Sequence, residues 1–158
     1  MKFIDEAILV FEENLLKVLF LALPALCALQ VLSRFVLHIP VPWSEEVMRV
    51  LFIWATFLGA SLAVKQGAHL SVRALVQVMP RPVGVAVTFA VDMACGVLCL
   101  YFAWAGFEVS LMEAQSEQVL PVLGLPTYLS SAALPVGFLL MGVRFLIAGI
   151  ARFTTRAA

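Results

Sequence analysis

Four stretches of this chain are apolar for close to the length a bilayer asks of a helix, with charge concentrated at their ends. They run over Leu15–Leu37, Val47–Val64, Val83–Phe107 and Thr127–Ile150, and a hydrocarbon core of ~30 Å needs about 20 helical residues. None alternates apolar and polar positions as a barrel strand would, and backbone groups in lipid must be satisfied within the segment. Each stretch is therefore predicted to be an α-helix. Two flanking segments carry a different pattern. At 3–14, Ile4, Ile8, Phe11 and Leu15 stand against Asp5, Glu6, Glu12 and Glu13. At 68–79, Val72, Leu75, Val76 and Met79 oppose His69, Arg73 and Gln77, and Pro80 and Pro82 end the run. Both patterns predict short amphipathic helices lying along the membrane surface. The expected fold is an all-α membrane protein, one domain over 1–158 with four transmembrane helices.

Composition removes the soluble alternative. The chain is 63% hydrophobic and 13% charged, with a mean hydropathy of +1.06, against about 45–50% apolar in soluble domains. A formal net charge of zero argues against a nucleic-acid partner. The distribution of charge is more informative than its sum. Lys65, Arg73 and Arg81 lie between spans two and three, Arg152 and Arg156 follow span four, and Lys2 and Lys17 flank the start of span one. The opposite side has only Arg34 and Arg49, and its last connection holds Glu108, Glu113 and Glu117. The bias of basic residues predicts both termini on the cytoplasmic side. Four carboxylates among the first 13 residues are unlike a cleavable leader, so span one is expected to remain as an anchor.

The candidate residues gather at span ends. Trp43 suits an aromatic belt, and Ser44 after Pro42-Trp43 is an expected helix N-cap. Glu45 and Glu46 stand four and three residues before Arg49. Either can pair with it on the helix surface, or one carboxylate contacts another chain. Asp92 is the acid well inside an apolar run, where a charge costs about 2.5–3.5 kcal/mol, so it is expected to face protein rather than lipid. Arg34 and Arg144 lie a turn or two inside span ends and can snorkel or pair with a partner subunit. Gly59, with Ala60, Ser61 and Ala63, gives span two a small-residue face, and Pro24 and Pro135 are expected to kink spans one and four.

No pattern carries enzyme or cofactor chemistry. His38 and His69, the two histidines, fall on opposite sides in this topology, which argues against haem ligation. Cys27, Cys95 and Cys99 sit in apolar runs without C-x-x-C spacing and read as packing residues. No metal-ligand spacing, phosphate loop or catalytic triad pattern is present in the sequence, so no catalytic, metal or cofactor residue is assigned.

One stretch resembles a known family. In WSEEVMRVLFIWATFLGASLAVKQGAHLSV, the residues Trp43, Glu46, Arg49, Trp54, Gly59, Lys65, Gly67 and His69 fall where the small membrane subunit of TRAP (tripartite ATP-independent periplasmic) transporters, the DctQ type, would place them. GLPTYLSSAALPVGFLLMGVRFL is similar to that family's last span through Leu125-Pro126, Leu134-Pro135-Val136-Gly137 and Arg144. Tyr128 stands where a Trp is expected, and Arg73 where an acid often occurs. The resemblance implies a bacterial inner-membrane uptake system. A periplasmic binding protein captures an organic acid, a large membrane subunit moves it with sodium, and the small subunit braces the large one amid membrane lipid. Substrate and sodium sites would lie in the large subunit. The residues offered here for partner contact are Trp43, Glu45, Glu46, Arg49, Gly59, Asp92, Glu108, Glu113 and Glu117, the rim glutamates facing the binding protein. The competing reading is a stand-alone proton-coupled antiporter or exporter built on Asp92 or Glu46. Such carriers usually rest on an internal repeat or symmetric dimer, and spans one–two and three–four show no convincing similarity.

Overall fold

The computed structural model describes residues 2–39, 41–65 and 81–157, and the side chains of 9–39, 41–65 and 83–150. Helix α1 runs over Lys2–Leu32 and passes into a π-helical turn at Ser33–Leu37. Next come α2 (Pro42–Lys65), α3 (Arg81–Gln115), the single turn α4 (Tyr128–Ser131) and α5 (Ala133–Ala157). Four segments are long and apolar enough to cross a membrane: Leu9–Leu37, Pro42–Lys65, Val83–Gln115 and Tyr128–Ile150. These are the four spans expected from the sequence. Residues 3–14 are continuous with span one, within a single unbroken helix. The amphipathic segment expected at 68–79 lies outside the described residues.

The helices form a row. Among the described residues α1 packs on α2, α2 on α5, and α5 on α3, with no backbone approach between α1 and α3 or between α1 and α5. Asp92, expected to face protein, lies on α3 at one end of this row. The open row is an arrangement that lipid permits, because no hydrophobic force drives apolar helices together when the solvent is itself apolar. Much of each helix is therefore uncovered: Phe20, Leu21, Phe35 and Trp104 are 63%, 75%, 71% and 66% exposed.

Packing within the row is uneven. Leu19 of α1 and Ala55 and Leu58 of α2 form a small core, against which Leu16, Leu23, Leu51, Trp54 and Leu140 pack. The closest helix approaches occur along α5. A Cβ placed on Gly137 would lie 2.5 Å from Phe57 Cβ, and Cβ atoms on Gly96 and Gly142 would each come within 3.5 Å of the other's carbonyl oxygen. Gly59 differs, since a Cβ there would meet only Leu16 at 3.9 Å. The close contact anticipated at Gly59 thus belongs to Gly137. Gly137→Ala is expected to cost about 1–3 kcal/mol through overpacking, whereas Gly59→Ala should be neutral or stabilising. Thermal unfolding of both variants in one detergent checks this; equal midpoints would contradict the packing. Pro135 lies in the first turn of α5, where proline needs no kink, while Pro24 is inside α1.

Candidate functional site

Two clusters of buried charge tie the row together, one near each membrane face. The first joins three helices. Arg144 of α5 donates from Nη2 to Glu12 Oε2 of α1 at 2.5 Å and from Nη1 to Ser61 Oγ of α2 at 2.7 Å. The ionic partners are well covered, at 14% and 4% side-chain exposure, and Ser61 is fully buried. Since α1 and α5 do not approach each other through their backbones, the long arginine reaches past Ser61 of α2 to the carboxylate. Arg144 therefore does not snorkel, nor does it await another subunit: its charge is answered inside the chain. Sequence reasoning missed this role for Glu12 by counting it with the polar face of an amphipathic helix. A signal was present, because Glu12, Leu16, Leu19 and Leu23 recur at intervals of four, three and four, which places the acid on the buried stripe.

The second cluster sits at the start of α2. Pro42 occupies the first helical position, a place suited to its fixed φ and missing N–H. Ser44 is thus inside the first turn rather than at the N-cap, and its hydroxyl donates back to Val41 O at 2.7 Å. Glu46 is 7% exposed. It turns inward and accepts the backbone N–H of Val122 at 3.0 Å and of Leu123 at 2.9 Å. Those amides belong to a small hairpin between α3 and α4. A Val119–Pro126 bridge, Leu120 N–H to Leu125 O at 2.7 Å and Thr127 N–H to Gln118 O at 2.9 Å hold it closed. Gly124 supplies its left-handed residue, φ 65°. The carboxylate at the turn is charge-assisted.

The two neighbouring glutamates consequently part company. Glu45 is exposed and accepts from Gln30 Nε2 of α1 at 2.8 Å. Among the described residues neither glutamate pairs with Arg49, which makes no hydrogen bond or ion pair there. The expected Glu–Arg pair fails because each carboxylate finds a donor on another element. Trp43 is 43% exposed at the same membrane face. Further along, Trp54 donates from Nε1 to Leu129 O of α4 at 3.1 Å, fastening the far side of the hairpin to α2.

The remaining candidates lie apart. Asp92 is 2% exposed on α3, where its Cβ is 3.2 Å from a Cβ placed on Gly149 of α5. It faces protein, as a membrane acid should. Glu108 accepts from Trp104 Nε1 at 3.0 Å, Glu113 accepts from Ser131 Oγ, and Glu117 is an exposed residue at φ 49°. Among the described residues no group of three or more His, Cys, Asp or Glu side chains could hold a metal ion.

The sequence of this chain matches one family of known proteins. Residues 23–155 match the family described as tripartite ATP-independent periplasmic transporters, DctQ component. The chain is 34% identical over 132 residues to a putative TRAP transporter small permease protein of Haemophilus influenzae, covering 77% of this chain and 78% of the relative. It is 32% identical over 155 residues to the sialic acid TRAP transporter permease protein SiaT of another strain of that species, covering 98% of this chain but 24% of that one. An ectoine TRAP transporter small permease protein, TeaB of Halomonas elongata, is 26% identical over 126 residues, 80% of this chain and 65% of the relative. The chain thus spans about a quarter of SiaT and just under two thirds of TeaB. With four membrane-crossing helices and this kinship, the chain belongs to the DctQ family of TRAP transporter small membrane subunits, a multi-pass transport component of the inner membrane and not an enzyme.

Proposed function

We propose that this chain is the bracing subunit of a TRAP transporter, holding a large membrane subunit whose uptake of an organic acid is driven by a sodium gradient. The observation that carries the reading is the open row of helices. A single layer locked internally by Glu12–Arg144–Ser61 and by Glu46 on the hairpin leaves broad apolar faces for a second membrane protein. The relationship to SiaT adds support, because there a sequence like this one is covalently part of a longer permease. Both termini face the cytoplasm in this reading, which puts the hairpin, Glu45, Glu108, Glu113 and Glu117 at the periplasmic rim. That rim helps receive the periplasmic binding protein, with Glu45, Glu108 and Glu117 as its exposed carboxylates. Glu46 serves the rim indirectly, by fixing the hairpin.

The reading is tested by tagging this chain, solubilising membranes in mild detergent and identifying what co-purifies. A stoichiometric partner with a dozen or so predicted spans is the expected result, and a lone homodimer would overturn it. In the assembled transporter, Asp92→Asn should leave uptake substantially intact while recovery of the complex is unchanged. Loss of uptake from a fully assembled Asp92→Asn complex would instead place proton or ion coupling in this chain.

A further inference from the structure

The groove between α1 and α2 contains an unanswered charge at membrane depth. It measures 640 Å³ and is walled by Phe20, Leu23 and Pro24 of α1 and by Phe52 of α2, with Glu45 and Arg49 on the same wall. Arg49 lies seven residues beyond Pro42, about 10 Å along the helix axis. A 24-residue helix is about 36 Å long, only slightly longer than the ~30 Å apolar layer. With the helix centred on that layer, the Arg49 backbone falls a turn or so inside its edge, and its guanidinium reaches the phosphate level by extending upward. Among the described residues nothing neutralises it.

We propose that this groove holds one phospholipid with an ethanolamine headgroup. Arg49 takes the phosphate as a bidentate, charge-assisted pair, and Glu45 takes the primary ammonium. An acyl chain lies against Phe20, Leu23, Pro24 and Phe52. Order along α2 is the argument: Glu45, Arg49 and Phe52 descend at intervals of four and three residues, in the sequence ammonium, phosphate, hydrocarbon. The neighbouring Glu46 is removed from competition by its bonds to Val122 and Leu123, so Arg49 is left for an external anion. Glu45 retains acceptor capacity beyond its one bond from Gln30. A carboxylate on a helix of another subunit would satisfy Arg49 equally, but it would leave Glu45 facing a like charge one turn away.

The test is lipid retention by the chain purified with whatever subunits accompany it. Samples come from nanodiscs containing ethanolamine, glycerol and choline phospholipids in equal amounts, and bound lipid is counted by native mass spectrometry after stepwise delipidation. About one ethanolamine lipid per chain should survive in the native protein, and Arg49→Gln should lower that at least about tenfold. Arg49→Lys should keep part of it, and Glu45→Gln should erase the preference for ethanolamine over glycerol headgroups. Arg34→Gln, at an exposed arginine of the π-helical turn, should change nothing. Equal retention of ethanolamine and glycerol lipids by the native protein would overturn the assignment. So would unchanged retention in Arg49→Gln, including the case where that variant loses its partner subunit. The count is made whether or not a large subunit is present, so failure here leaves the bracing reading standing, and the reverse.

Discussion

Glu12→Ala and Arg144→Ala are each expected to destabilise the protein by about 3–5 kcal/mol, the range for removing one partner of a buried ion pair. The cost arises mostly from what is left behind. Without Glu12, the Arg144 guanidinium keeps only Ser61 as a partner at a position 14% exposed; without Arg144, a carboxylate 4% exposed loses its counter-charge. Glu12 Oε1 already has no partner among the described residues, which makes its other oxygen more dependent on the arginine. Ser61→Ala should cost less, about 1 kcal/mol, since the ion pair survives. The double variant Glu12→Leu with Arg144→Met should be more stable than either alanine variant, because two buried charges are replaced by apolar groups of similar length. Thermal unfolding and monodisperse recovery in one detergent measure all four. If the effects of Glu12→Ala and Arg144→Ala simply add in the variant carrying both alanines, the pair is idle and the row is held by apolar packing alone.

Glu46→Ala should release the hairpin without unfolding the spans. It leaves the amides of Val122 and Leu123 without their acceptor, and hydrogen bonds to a charged group are worth about 1.5–3 kcal/mol each. Amide exchange at Val122 and Leu123 is therefore expected to accelerate at least about tenfold, while the interiors of α3 and α5 keep their protection. Glu46→Gln should fall between, as it keeps a carbonyl acceptor but loses the charge. Docking of a binding protein, measured as affinity for the assembled transporter, should weaken with Glu46→Ala even though Glu46 itself is buried. Unchanged exchange at 118–127 would show that the bridge and Gly124 hold the hairpin alone.

These two sites differ in how far the chain announced them. Glu46 stands out beside Glu45 and Arg49, but its partner does not, because Val122 and Leu123 contribute backbone amides that carry no sequence signature. In the sequence Arg144 looks like an outward-facing charge at a span end and Glu12 like a surface acid. Pairing two charges 132 positions apart requires knowing which helices neighbour one another. Gly59 and Gly137 show the same limit. Both look like packing glycines, yet only Gly137 meets a neighbour closer than 3 Å.

Hydrophobic length and the placement of charge, both local properties, fixed the four helical spans, since a helix in lipid satisfies its own backbone, but not every end: span one begins at Leu9, span two at Pro42, and span three runs on to Gln115. The same local pattern carried the kinship to the DctQ family through Trp43, Glu46, Arg49 and the segment that follows. Tertiary structure decided what no local pattern contains. The order α1–α2–α5–α3 makes an open row, Arg144 reaches past Ser61 of α2 to Glu12, and Glu46 turns inward while Glu45 and Arg49 face out. The reason is that apolar spans are nearly interchangeable to lipid, so neighbours are chosen by glycine-sized gaps and a few buried charges.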